Sequence, residues 1–344
     1  MTFRFDNVYI RDVATVVGPY ESKGPLSKEF DQSYDDMYFD CDSFEKAEVK
    51  ILLDSINILL NKVKKDKSDI DLFISGDLQN QITASSYVAR NLKLPFLGIY
   101  SACATNVEGL IIGSNFLENH LVDDVLVSVS SHNMVSEKQF RNPTEYGAPK
   151  PKTATFTATG GASCLLTNKS GKVKITAGTI GKVVDYNQTN PLDMGAVMAP
   201  AAADVLNTHL NDLDRDITDY DLILTGDLGI IGKNILIDFM KSEYGIDIEN
   251  IYNDCGVMLY DLEKQKDVLA GGSGPVCSAL VVYSDIIKKL EKKELKRVLY
   301  IATGALFNPT SVFQKENILG IAHAISLESI WYTYIHFYLQ ALFV

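Results

Sequence analysis

The sequence predicts an α/β protein of two similar halves, and three observations carry that prediction. The segment Asp69-Ile-Asp-Leu-Phe-Ile-Ser-Gly-Asp-Leu78 returns 150 residues later as Asp219-Tyr-Asp-Leu-Ile-Leu-Thr-Gly-Asp-Leu228, identical at six of ten positions and apolar wherever the first copy is apolar. The same order of elements follows each copy: a helical stretch, a short buried strand, a helix that opens on small residues, and an apolar strand. The offset widens to about 170 residues across one polar insertion, Leu259 to Leu269. Alternating strands and helices make a mostly parallel sheet covered by helices, and a repeat of this length is a structural unit used twice.

In the first half, strands are expected near 6–17, 70–75, 95–101, 123–130 and 161–167, and helices near 43–64, 82–92 and 103–119. Phe44, Ala47, Ile51, Leu52, Ile56, Leu59 and Leu60 keep the spacing of a helix that buries one face. The connection from Ser131 to Thr155 holds three prolines without apolar periodicity, and reads as a long loop, either functional or disordered. A polar turn with glycine, Thr167 to Lys172, divides the chain into halves 1–170 and 171–328. The second half opens with a strand from Val173 and a helix near 195–210. Then come a helix from Gly232, a strand near 248–253, a helix opening at Gly272-Ser273 and a strand at 297–302. Residues 329–344 are a tail, uncharged and rich in aromatics from Ile330 onward. They read either as packing on a neighbouring subunit or as a contact with a membrane interface.

Composition narrows the function. With 46% hydrophobic and 22% charged residues the chain is globular, and a formal charge of −12 argues against nucleic acid as a partner. Five cysteines without CxxC spacing read as reduced thiols, and the N-terminus lacks a signal-peptide pattern, so an intracellular protein is expected. No cofactor is called for: the turn Gly271-Gly-Ser-Gly274 lacks the Gly-Lys-Ser/Thr ending of a nucleotide loop.

Parallel sheets present ligands at the carboxyl ends of their strands. That rule selects Asp77, Cys103 and His132 from the first half and Asp227 from the second. Cys103 stands where a strand gives way to a helix, so a lowered thiol pKa, or amides able to hold a carboxylate, are expected there; Cys as a small filler is the alternative. Asp77 facing the pocket would push that thiol back up and suits a ligand carrying calcium, although it equally fits a helix cap, as does its twin Asp227. His132 and Arg141 offer donors to carboxylates, and each also fits a purely structural bond, Arg141 with Glu145. Phe140 offers a face to a flat ring or ordinary packing. Cys255 and the glycine turn with Gly272 and Ser273 would close the pocket from the second half. His120, His209 and His323 read as structural.

The two-half arrangement with Cys103 opening the third helix resembles the thiolase fold, which implies βαβαβαββ halves in a five-layered αβαβα arrangement. The stretches Gly76-Asp-Leu-Gln-Asn-Gln81, Ser131-His-Asn133, Gln139-Phe-Arg-Asn-Pro-Thr-Glu-Tyr-Gly147, Met198-Ala-Pro-Ala-Ala-Ala-Asp204, Asn253-Asp-Cys-Gly256 and Ala270-Gly-Gly-Ser-Gly274 resemble the stage V sporulation protein AD family, from about residue 3 to 328. The tail departs from the family's pattern. The resemblance implies a non-catalytic protein that binds dipicolinic acid, or its calcium chelate, for uptake into the developing spore. It also implies membrane subunits of the same transport system as partners, a peripheral place at the forespore or spore inner membrane, and a homodimer through strand 95–101. Condensing enzymes of the fold need a His, and a second His or Asn, after the second strand and at the third helix of the second half. Here those places read Thr225-Gly-Asp227 and Gly271-Gly-Ser273. The competing expectations are an acyltransferase or thioesterase using coenzyme A esters through Cys103, and a structural subunit that docks onto membrane partners.

Overall fold

The computed structural model describes residues 1–140 and 149–330. Its first half contains β1 (Thr2–Arg4), β2 (Tyr9–Val17), β3 (Gln32–Ser33), α1 (Phe44–Val63), β4 (Leu72–Gly76) and α2 (Thr83–Leu92), followed by β5 (Phe96–Gly98), α3 (Thr105–Glu118), β6 (Asp124–Ser131), α4 (Asn133–Phe140), β7 (Phe156–Thr157) and β8 (Gly160–Thr167). The second half contains β9 (Val173–Ile180), α5 (Met194–Leu213), β10 (Leu222–Thr225), α6 (Gly229–Tyr244), β11 (Tyr252–Asp254) and α7 (Cys255–Met258), followed by β12 (Gly272–Ser273), α8 (Pro275–Val281), α9 (Ile287–Glu291), β13 (Arg297–Leu306), α10 (Pro309–Phe313) and β14 (Leu319–Ser329).

The halves repeat one topology. In the first, β5, β4 and β6 run parallel, β8 returns antiparallel, and β2 closes the row; in the second, β11, β10, β13, β14 and β9 do the same. The rows join where Tyr9 pairs with Lys174 and Ile10 with Val173. Three apolar cores separate the layers. Leu52, Ile56 and Leu59 of α1 and Val88 of α2 cover the outer face of the first row, and Val205 and Leu206 of α5 with Leu236 of α6 cover that of the second. Between the rows, Leu110 and Ile111 of α3 pack with Val276 and Leu280 of α8. Helix, sheet, helix, sheet and helix therefore stack as the αβαβα order expected.

A buried polar network stitches the middle layer. Asn106 Nδ2 donates to Tyr300 Oη at 3.1 Å, Tyr283 Oη donates to Asn106 Oδ1 at 2.8 Å, and Ser278 Oγ lies 2.5 Å from Tyr300 Oη. Each buried polar atom in it has a partner, which low-dielectric surroundings demand. Gly304 of β13 lets the halves approach closely: a Cβ there would collide with the Ser101 carbonyl oxygen and come within 3.1 Å of the Ala104 nitrogen.

Two expectations need correction. The 131–155 connection begins with the helix α4, whose eight residues are too few to show a convincing period. The insertion Leu259 to Leu269 is polar only on its outside, because Leu259, Tyr260 and Val268 are buried and the Tyr260 hydroxyl donates to the buried carboxylate of Glu21. Arg141 and, apart from Ser329 and Ile330, the 329–344 tail lie outside the described residues.

Gly304→Ala is expected to cost about 1–3 kcal/mol, the range for overpacking a tight site, because the atoms it meets are backbone. The midpoint of chemical denaturation measures it.

Candidate functional site

Cys103 sits on a turn between β5 and α3 whose shape is set locally. Ala102 adopts a left-handed φ of 50°. The Thr105 hydroxyl donates to Ala102 O at 2.6 Å and accepts from Ser101 N at 3.0 Å, while Ala104 N reaches Ser101 O at 3.0 Å. The thiol precedes the helix, which begins at Thr105, and is half-buried.

From the second half, Asp227 after β10 and Ser273 before α8 converge on this thiol. Ser273 Oγ lies 3.7 Å from Cys103 Sγ and donates to Asp227 Oδ2 at 2.9 Å. Gly274 N donates to the same oxygen at 3.1 Å, and Thr303 Oγ1 donates to Asp227 Oδ1 at 2.7 Å. Gly274 holds φ at 100°, and a Cβ there would lie 2.7 Å from Ser131 Oγ, so the turn that aims its N–H at Asp227 excludes larger residues.

The electrostatics oppose the low thiol pKa expected of a helix start. Burial pushes the Cys103 thiol well up, and Asp227 pushes it further by its charge and by taking the thiol hydrogen bond. The carboxylate that acts on the thiol is thus Asp227, whereas Asp77 was expected. Burial also raises Asp227, against the lowering effect of the donors around it.

Asp77 is fully buried, and its oxygens accept from Gln79 N at 2.9 Å and Ser85 N at 2.7 Å. That is the capping arrangement, with both oxygens engaged by backbone N–H groups. Beside it is a carboxyl that sequence reading missed, Glu48 of α1, which accepts from Gln79 Nε2 at 2.9 Å and Ser130 Oγ at 3.1 Å. Burial first, and Asp77 second, raise Glu48 to about 8. A signal for it existed, since Glu48 lies three residues before Ile51 on the apolar stripe of α1.

The other expected residues scatter. His132 donates from Nε2 to Met37 O at 2.8 Å between the rings of Phe39 and Phe44, and burial lowers it to about 4. Its ring is therefore neutral. Phe140 packs on Phe307 of the opposite half, with centroids 5.4 Å apart. Cys255 is buried in the middle core, and Gly272 leaves room for the Tyr260 ring and Cys277 while β12 pairs with β7. His323 accepts from Gly181 N at 3.2 Å through Nδ1, so its Nε2 carries the proton toward Ser101 Oγ at 3.4 Å. Among the described residues no three His, Cys, Asp or Glu side chains group to hold a metal ion. The residues gathered at the thiol are therefore Ser273, Asp227 and Thr303, of which only Thr303 had escaped notice.

Comparison with known proteins identifies the family and the fold. A family profile described as Stage V sporulation protein AD matches residues 1–328. The Stage V sporulation protein AD of Bacillus subtilis (strain 168) is 44% identical over 321 residues, covering 93% of this chain and 94% of its own. Among solved structures, a variant of OleA from Xanthomonas campestris matches with a TM-score of 0.61 at 16% identity, over 95% of this chain and 99% of its own. The 3-oxoacyl-(acyl carrier protein) synthase III of Xanthomonas oryzae matches with a TM-score of 0.56 at 13% identity, over 94% of this chain and 100% of its own. At such identities these structures establish a thiolase-like fold alone.

Two measurements follow from the raised groups. Iodoacetamide should modify Cys103 slowly at pH 8, and Asp227→Asn should speed the reaction about tenfold or more, read by intact mass against time. Because the folded Glu48 value lies above its ordinary 4.5, its contribution to stability is intact below that value and is lost as pH rises through about 8. Glu48→Gln should therefore flatten the decline of the melting temperature between about pH 4.5 and 8, by an amount on the order of a few degrees.

Proposed function

The chain belongs to the stage V sporulation protein AD family, and on that premise we propose that it binds dipicolinic acid, or its calcium chelate, in the cleft at Cys103 without forming a covalent intermediate. The observation that supports this most directly is the company the thiol keeps. A thiol attacks as its thiolate, and a condensing enzyme supplies a base and a donor for the thioester oxygen. Here the two places on the second half that would supply them carry a carboxylate, Asp227, and a hydroxyl, Ser273, and the thiol is pushed up rather than down. Calcium, where it takes part, arrives inside its chelate with the acid's own oxygens around it.

The role in uptake belongs to the same proposal. No described helix is long and apolar enough to cross a membrane, so movement of the acid across one calls for membrane subunits as partners, with this chain at the membrane surface of the forespore or spore. A second copy would pair along β5, whose outer edge has no strand beside it among the described residues and exposes Leu97, with Tyr100 and Tyr87 nearby.

Calorimetry with dipicolinate, with and without calcium, should show saturable binding that Cys103→Ala weakens roughly tenfold, which is about 1.4 kcal/mol. Absence of heat from the unaltered protein would defeat the reading. A stable mass increase on Cys103 after incubation with an acyl thioester would favour acyl transfer instead. For the dimer, sedimentation of the parent protein should give twice the chain mass, and Leu97→Arg should give the chain mass alone.

A further inference from the structure

Phe307 and Phe140 reach the same place from opposite halves. β13 lies against the Cys103 turn at Gly304, and Thr303 bonds Asp227. Phe307 follows the last residue of β13, three positions beyond Gly304. From the first half, β6 ends at Ser131, beside the Gly274 turn, and the eight residues of α4 then carry the chain about 12 Å to Phe140. The two rings meet there with centroids 5.4 Å apart and planes at 56°, and both side chains are only half-buried.

Both rings are held. Gln139 donates from Nε2 to Leu78 O at 2.7 Å and accepts from Asn80 N at 3.0 Å, anchoring the end of α4. Phe307 packs against the second-half core, and its N–H reaches Ala305 O at 2.8 Å.

We propose that this pair is an aromatic rim over the cleft and that Phe307 sets its preference for a planar ring-bearing acid; the inference rests on the binding reading above. Polar groups at the floor read the carboxyl groups that a flat aromatic acid and a puckered saturated one share, so they cannot tell the two apart. The rim can. At 5.4 Å the rings leave no room for a third between them, so the ligand stacks against the pair from the thiol side, a contact that only a planar π-system makes well.

The test compares dipicolinate with piperidine-2,6-dicarboxylate, which carries the same carboxylates on a saturated ring, by calorimetry on the full chain. Phe307→Leu, which keeps the apolar volume, should weaken dipicolinate up to about tenfold while changing the saturated acid by no more than about twofold. Phe307→Tyr, which keeps the ring, should retain the parent's ratio of affinities. Unchanged dipicolinate binding by Phe307→Leu, or equal loss of both acids, would overturn the rim. If the unaltered protein binds neither acid, the binding reading itself fails and takes the rim with it. Parent binding that survives Phe307→Leu removes the rim alone.

Discussion

One buried carboxylate organises the space around the thiol. Asp227 is almost fully enclosed, and a charge there is tolerated only because Ser273, Gly274 and Thr303 each aim a hydrogen at it. Those three bonds tie the start of α8 and the glycine turn to β13, and β13 in turn lies against the Cys103 turn at Gly304. The same carboxylate that builds this wall adds to the effect of burial in raising the thiol.

The repeated Gly-Asp-Leu shows how identical sequence is put to different use. Asp77 and Asp227 follow equivalent strands, and both are buried. Asp77 gives its oxygens to backbone N–H groups of its own loop and helix, whereas Asp227 gives one to Ser273 and Gly274 and the other to Thr303. Local sequence sets the position of each carboxylate, while its partners depend on which elements the fold brings across. For that reason the expectation that Asp77 would act on the thiol went to the wrong twin.

Much of the frame was legible because it rests on local periodicity: most strands of two matching rows, the helices between them, and Cys103, Asp227 and Ser273 at strand and helix ends. The rest was not, for physical reasons. α4 is too short for its period to show, and the buried anchors of the Leu259 to Leu269 insertion are interleaved with charge. Thr303 lies inside β13, where a threonine reads as an ordinary strand former. The meeting of Phe140 with Phe307 depends on two halves closing over one another, which no window along the chain can reveal. Glu48 was the exception, since an acid on an apolar stripe is a signal in itself.

The middle layer bears on what the repeat means. Its helices α3 and α8 come from different halves, their apolar side chains fill one shared core, and Asn106 spans it to Tyr283 and Tyr300. Severed after the Thr167 to Lys172 turn, either piece would present a naked hydrophobic slab and stranded amide and phenol groups to water. The seam between the copies thus marks where a pattern recurs, and the cooperative unit that melts or survives is the whole pair.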